Sequence, residues 1–248
     1  MRVAVLYDIH GNLPALAAVL DDVRMANAGQ IVIGGDVLPG PLPRETLEHL
    51  LQLDIPVRFI HGNGDRVVLA QMRGTEPAEV PEQFRAGIRW TAQQLTSEHE
   101  KILASWPPTL RLEIAGIGEV LFCHATPQND TDIFTRLTPD DRLMPIFQSV
   151  GASLVVCGHT HMQFDRMVGE IRVVNAGSLG MPYGEPGAYW LLLGPRIELR
   201  RTTYDFPKAA ERIRATSYPA AEEFAATSIL KPPPESQILE MLTKAECS

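Results

Sequence analysis

Five segments of this chain combine side chains able to hold metal ions: Asp8-Ile9-His10-Gly11, Gly35-Asp36, Gly62-Asn63-Gly64-Asp65, His124 and Gly158-His159-Thr160-His161. Taken singly, each residue has an ordinary role. Asp8 or Asp36 can cap a helix, His10 or His124 can be a hydrogen-bonded loop histidine, and Asn63 can be a turn residue between glycines. Jointly those roles fail, because they give no reason for all these side chains to follow predicted strands. His159 and His161 share one face of an extended segment, which suits joint ligation. A catalytic zinc takes three protein ligands, so seven candidates fit two ions, and a carboxylate bridging them is then required. Mixed imidazole, carboxylate and amide donors suit Mn, Fe, Co, Ni or Zn, whereas oxygen-ligated Mg or Ca would not use four histidines. Ions about 3.5–4 Å apart hold a hydroxide between them and polarise a phosphoryl oxygen, so the chemistry in view is in-line attack on phosphorus.

The elements that must position these residues alternate in the first third of the chain. Val3-Ala4-Val5-Leu6-Tyr7 reads as a strand buried on both faces. Leu13, Leu16, Leu20 and Val23 then recur at helical spacing, with Asn12 as the N-cap. Ile31 to Ile33 is a second strand, Leu47, Leu50 and Leu51 mark a second helix, and Val57 to Ile60 is a third strand. Strands alternating with helices predict a parallel sheet whose ligands gather at the carboxyl ends of the strands. Residues 66–108 read as helical, broken at Pro77 and Pro81. Beyond Pro108 come short strands at Leu110–Ile114, Glu119–Cys123, Leu154–Cys157, Ile171–Val174, Ala188–Leu193 and Ile197–Arg201, which predict a second sheet packed on the first. The expected organisation is one domain over residues 1–204, its 66–108 segment bordering the cleft, with a helical extension over 205–248 packed on it. Breaks in that extension are expected at Pro219 and Pro232-Pro233-Pro234.

Composition narrows the partners. The chain has 248 residues, with 30 acidic against 22 basic side chains and a formal charge of -8. That balance excludes collagen, a disordered chain and a general nucleic-acid coat, since phosphate backbones need clustered Lys and Arg. A small phosphorylated substrate at a locally positive site remains compatible. Cys123, Cys157 and Cys247 are odd in number and without a CxxC pair, which predicts free thiols in a reducing compartment. Cys123 and Cys157 read as small buried strand residues. No leader is expected before the strand that follows Arg2, and no apolar run approaches the ~18 residues of a membrane span. A cytoplasmic location and no membrane partner are the expectations; the oligomeric state is open.

The motif order D-x-H, G-D, G-N-x-D, single His, G-H-x-H resembles the calcineurin-like metallophosphoesterases, over roughly residues 1 to 200. Asn175-Ala176-Gly177-Ser178-Leu179-Gly180 is similar to the N-P-G-S-x-G segment of the small prokaryotic branch, with Ala176 in place of proline. The resemblance implies an α/β fold, a four-layer αββα sandwich of two mixed sheets flanked by helices. It implies two divalent transition-metal ions, manganese foremost, with Fe, Ni, Co or Zn as alternatives. Asp8, His10 and His161 would hold one ion, Asn63, His124 and His159 the other, and Asp36 would bridge both. Asp36, Asn63 and His124 would also be the residues closest to catalysis, which would proceed by attack of a metal-bridging hydroxide.

This chain departs from the family at Gly64, where many members carry histidine in G-N-H-D or G-N-H-E. General-acid help is worth ~10²–10⁴ in rate, so poor leaving groups should suffer. His61 is a lesser candidate to take over that role. Protein Ser/Thr phosphatases continue G-D-x-V-D-R-G, but Gly35-Asp36-Val37-Leu38-Pro39-Gly40 lacks the phosphate-clamping arginine. Arg66 follows Asp65 and reads as an ion-pair residue before a phosphate ligand, and Asp65 as a residue that orients a ligand. Ser178 lacks the G-x-S-x-G elbow, and there is no G-x-x-x-x-G-K-[ST] loop.

The leading expectation is therefore a phosphoesterase acting on a small phosphodiester, phosphomonoester or nucleotide. The alternatives are a catalytically weakened metal-binding regulatory or interaction module, a Ser/Thr phosphatase-like monoesterase, and a metal-free nucleotide-binding domain.

Overall fold

Strand β1 (Arg2–Leu6) alternates its side chains between two cores, Ala4 and Leu6 facing one and Val3 and Val5 the other. The computed structural model describes residues 1–76, 78 and 80–246; the break expected at Pro77 and the third thiol, Cys247, lie outside the described residues. Helix α1 (Leu13–Met25) buries Leu13, Leu16, Val19, Leu20 and Val23. Asn12 caps it, its side-chain oxygen accepting the Ala15 N–H at 3.2 Å. Truncating a side chain such as the fully buried Leu16 to alanine would cost about 2–5 kcal/mol. Strand β2 (Ala28–Ile33), helix α2 (Pro43–Leu51), strand β3 (Val57–Phe59) and helix α3 (Asn63–Met72) complete the alternating part. Asn63, Gly64 and Asp65 thus occupy the first turn of α3 and not a loop before it.

Helices α4 (Glu82–Gln94) and α5 (Ser97–Ala104) follow, then strands β4 (Thr109–Ile114) and β5 (Gly118–Cys123). Helix α6 (Asp140–Phe147) precedes strands β6 (Leu154–Cys157), β7 (Phe164–Val168), β8 (Ile171–Asn175), β9 (Ala188–Leu193) and β10 (Ile197–Thr202). The sheets have the orders β10-β9-β1-β2-β3 and β4-β5-β6-β8-β7. The expectation that all late strands build the second sheet is therefore corrected. β9 pairs antiparallel with β1, Val5 opposite Leu191, and carries β10 with it into the first sheet. The reason is burial: Trp190 and Leu192 reach the helical core while Leu191 and Leu193 reach the inter-sheet core, a position only an inner strand provides.

Layering follows from the same alternation. In β5 and β6, Val120, Phe122, Leu154 and Val156 fill the space between the sheets, whereas Leu121, Cys123, Val155 and Cys157 face outward onto Leu143 and Phe147 of α6. Both thiols are buried and unpaired. The other sheet is covered by α1 to α3, by α4 and α5, and by α7 (Phe206–Arg214) and α8 (Ala221–Phe224), whose Ala209, Ile213 and Phe224 enter the same core. The result is two mixed five-stranded sheets between helical layers, as the sequence resemblance implied. A wider π-type turn over Ala225–Leu230 leads to α9 (Glu235–Ala245), which packs Ile238 and Leu239 on Met162. Among the described residues no helix is long and apolar enough to cross a membrane.

Candidate metal centre

Strands β1, β2 and β3 run parallel in one sheet and β5, β6 and β8 run parallel in the other. The segments after their carboxyl ends carry every candidate ligand. The two loops after β1 and β2 are zipped by backbone hydrogen bonds from Asp8 N–H to Gly35 O (3.1 Å) and from His10 N–H to Asp36 O (2.9 Å). Asp8, His10, Asp36, His159 and His161 all have positive φ, between 48° and 65°; among the described residues Asn27 is the one other non-glycine that does. Left-handed backbone at a histidine or aspartate costs on the order of 1 kcal/mol or more, and strain of this kind persists where tertiary contacts over-determine it, typically at sites.

The structure brings Asp8, His10 and His161 together, their ligand atoms lying within 4.8 Å of one another, and does the same for Asp8, Asp36 and His124. His159 falls in neither trio; its ring centroid lies 5.2 Å from that of His124. Three imidazoles are oriented from behind. Nδ1 of His124 donates to Gly34 O (3.0 Å), Nδ1 of His161 to Met181 O (2.8 Å) and Nδ1 of His10 to Pro39 O (3.3 Å). Donation at Nδ1 turns Nε2 inward, where displacement of its proton by a cation would expose the lone pair a metal ligand needs. Each carboxylate is likewise split in function. Asp8 Oδ2 accepts the His159 N–H (3.0 Å) and Asp36 Oδ1 accepts the Gly64 N–H (2.7 Å). The other oxygens face the imidazoles: Asp8 Oδ1 is 3.5 Å from His161 Nε2, and Asp36 Oδ2 is 3.6 Å from His124 Nε2 and 3.7 Å from His10 Nε2.

Burial alone would push both carboxyls up, yet His161 beside Asp8 and His124 beside Asp36 hold them below the ordinary carboxylate range. Burial opposes charge on His124 too, but Asp36 and then Asp8 outweigh it and raise its pKa to about 10. His159 goes the other way: burial, then repulsion from a charged His124, lowers it to about 4, so its ring stays neutral. Two buried anions among converging imidazoles form a cation-seeking pocket. Asp8 Oδ1, His124 Nε2 and Asn63 Oδ1 are buried and have no hydrogen-bond partner, which native proteins seldom tolerate unless an ion or water completes them. The donor set, three orphaned atoms included, fits divalent transition-metal ions.

Supporting residues were only partly legible in advance. Both oxygens of Asp65 are committed: Oδ2 accepts the N–H groups of Asp36 (2.8 Å) and Gly62 (3.0 Å), and Oδ1 accepts that of Leu38 (3.0 Å). Burial and the nearby Asp36 charge push this carboxyl up, while the Gly62 and Leu38 N–H groups favour its charged form. The Asn175–Gly180 segment, singled out by resemblance alone, braces the centre mechanically. Asn175 Nδ2 donates to Gly158 O and Thr160 Oγ1, Ser178 Oγ donates to Asp8 O, and the Gly180 N–H also donates to Asp8 O. A Cβ on Gly180 would stand 1.9 Å from the Ile9 carbonyl oxygen, so only glycine lets this segment approach. Gly64 is equally constrained: a Cβ there would meet Leu38 O at 2.3 Å and Asp36 Oδ1 at 2.9 Å.

Beyond His124 opens a cavity of about 230 Å³ that His61, Arg66 and Asp130 help to line. Arg66 pairs with Asp130, as an ion-pair residue should, and His61 Nδ1 lies 3.8 Å from the same carboxylate. Asp130 was missed because nothing in its surroundings, Gln128-Asn129-Asp130-Thr131, distinguishes it from a polar loop.

The profile of the calcineurin-like phosphoesterase superfamily domain matches residues 1–193. The chain belongs to that superfamily. It is 31% identical over 232 residues to an uncharacterized protein of Methanocaldococcus jannaschii, covering 85% of this chain and 91% of the relative. Its fold is similar to that of a hypothetical protein from Pyrococcus horikoshii, with a TM-score of 0.79 and 24% identity over 94% of this chain and 99% of that one. It is also similar to a metallophosphoesterase from Sphaerobacter thermophilus, with a TM-score of 0.72 and 24% identity over 92% and 99% of the two chains. At that identity the likeness speaks to fold alone. It agrees with the four-layer architecture.

Proposed function

We propose that this calcineurin-like phosphoesterase is a dinuclear enzyme that hydrolyses small phosphate esters, with manganese foremost among the ions it takes. The observation that carries the reading is the set of three imidazoles, each anchored at Nδ1 to a backbone carbonyl and turned at Nε2 towards Asp8 and Asp36. Asp8, His10 and His161 would hold one ion, Asn63, His124 and His159 the second, and Asp36 would be shared by both. Paired divalent ions, when bound, supply Lewis acidity and bring the pKa of water towards neutrality.

The protein's own work is positioning. Asp65 fixes the backbone of Asp36 and Leu38, the Gly64 N–H fixes the outer oxygen of Asp36, and Ser178 and Gly180 fix the loop of Asp8. These contacts hold the donors on rigid strand ends, so little reorganisation is needed when charge develops on phosphorus. With Gly64 in place of the family's histidine, esters whose leaving groups are acidic should turn over best. An acidic surface, -8 overall, favours small esters over long nucleic acids.

Asp36→Asn tests the reading. It should cut turnover of an aryl phosphate ester by orders of magnitude and loosen at least one ion, measured by kcat/KM and by elemental analysis of the same sample. Unchanged turnover would remove Asp36 from the site. Tight metal binding by the wild-type chain without turnover on a broad ester panel would instead favour a metal-binding regulatory module.

A further inference from the structure

The last helix of the C-terminal extension reaches the metal centre through a single ring. Helix α9 presents Ile238, Leu239 and Leu242 at helical spacing, in one apolar cluster with Met162 and Tyr183. Tyr183 in turn stacks on His161, with ring centroids 5.7 Å apart and planes 25° from parallel, inside the range of favourable aromatic pairs. Met162 follows His161 directly in the chain. The helix therefore backs this ligand through both its chain neighbour and its ring neighbour.

The segment that carries Tyr183 also holds the same imidazole by a hydrogen bond. His161 Nδ1 donates to Met181 O at 2.8 Å, and the Met181 N–H is itself held by Ser178 Oγ at 2.8 Å. Pro182 stiffens the backbone between that carbonyl and the stacked ring. A histidine ring has only a broad torsional preference of its own, so one hydrogen bond leaves it free to tilt. The face of Tyr183 removes that freedom. Beyond it, the Gly184 N–H donates to Pro233 O at 2.9 Å, which ties the segment to the residues just before α9. The helix is fastened at both ends: Glu235 pairs with Arg136, and the buried Glu246 carboxylate accepts the Thr138 hydroxyl at 2.7 Å. His124, in the other trio, is backed instead by the Tyr7 ring and by Gly34 O, neither of which belongs to the extension.

We propose that Tyr183 is a positioning residue for His161 and that α9 is the buttress that keeps its ring in place. The C-terminal extension thereby sets the affinity of the site of Asp8, His10 and His161, and not that of the other. The inference rests on the two-ion reading of the Asp/His cluster and is independent of which ester is hydrolysed.

The test titrates manganese into metal-cleared protein by calorimetry and assigns the binding steps with His161→Ala, which should lose the step at Asp8, His10 and His161. Tyr183→Leu keeps an apolar side chain against Met162 and α9 but has no flat face. It should weaken that step by about 10–100-fold, the usual loss when a group that orients a ligand is removed, and leave the other step unchanged. Tyr183→Phe keeps the ring and should restore wild-type affinity. Leu239→Ala should weaken the same step, and should add nothing in the Tyr183→Leu background, because neighbours that act through one contact are not additive. Substitutions on two separate elements keep the test decisive if one variant does not fold. Equal weakening of both steps, a lower Tm with both affinities unmoved, or no rescue by Tyr183→Phe would overturn the inference. Two ions bound as expected by a wild-type chain that hydrolyses no ester would uphold it and sink the catalytic reading. A wild-type chain that takes up no manganese would overturn the centre and this inference with it.

Discussion

The Nε2 atoms of His10 and His161 lie 3.3 Å apart, and each ring has its Nδ1 on a backbone carbonyl. With both Nδ1 atoms donating to carbonyls, at most one proton lies between the two Nε2 atoms, and the Asp8 carboxylate beside His161 favours it there; a divalent cation in that proton's place would be held by both rings. The centre is thus shaped for an ion before one arrives. Binding to the folded chain alone should raise stability by about 2.7 kcal/mol when the free ion is at about 100 Kd. Thermal unfolding of metal-cleared protein with and without added manganese would read this as a rise in Tm. His161→Ala should bind fewer ions per chain and show a smaller rise. An equal rise would remove His161 from the ligand set.

Asp65→Asn should weaken the centre without touching a ligand. The carboxylate accepts three backbone N–H groups, and an amide NH₂ at one of its oxygens would face a donor instead of accepting from it. Losing buried acceptors costs about 1–3 kcal/mol, and disturbing a group that orients ligands typically costs 10–100-fold in metal affinity or activity. Urea unfolding together with metal titration of this variant would check both figures.

Restoring the family's histidine should not restore a general acid. Gly64→His would drive its Cβ into the Leu38 carbonyl and crowd Asp36, so α3 would have to shift. Overpacking of this kind costs about 1–3 kcal/mol. Both activity and Tm of Gly64→His should fall below wild type. A gain in turnover of alkyl monoesters would show that the loop yields more readily than its packing indicates.

Tyr7 ties the two sheets together. Its buried hydroxyl reaches Cys123 O (3.0 Å) and Val156 O (2.9 Å) across the interface, just behind His124 and Gly158. Tyr7→Phe keeps the ring and leaves two carbonyls without this donor, which should cost about 1–3 kcal/mol. Urea unfolding would show the loss, with metal stoichiometry retained.

Much of this was readable from residue types because parallel strands place their carboxyl ends together, so Asp8, Asp36 and His124 announced both the strands and the cluster in which they meet. The helix N-cap at Asn12 was equally local. What stayed hidden was non-local. β9 joins the first sheet only because β1 accepts it, a pairing such as Val3 with Leu193, 190 residues apart, that alternation cannot reveal. β7 escaped because Asp165 and Arg166 break the apolar run of an edge strand, and α6 because Pro145 sits inside it. Arg66 meets Asp130 64 residues away, and positive φ leaves no mark on the identity of a histidine.

The central claim is a two-ion centre that makes this chain a phosphoesterase. Its most direct test is titration of metal-cleared protein with manganese while hydrolysis of bis(para-nitrophenyl) phosphate and bound metal are followed together. The account predicts no turnover without metal and activity that rises to a plateau at two ions per chain. Turnover in the cleared protein, or a chain that binds no ion, would contradict it.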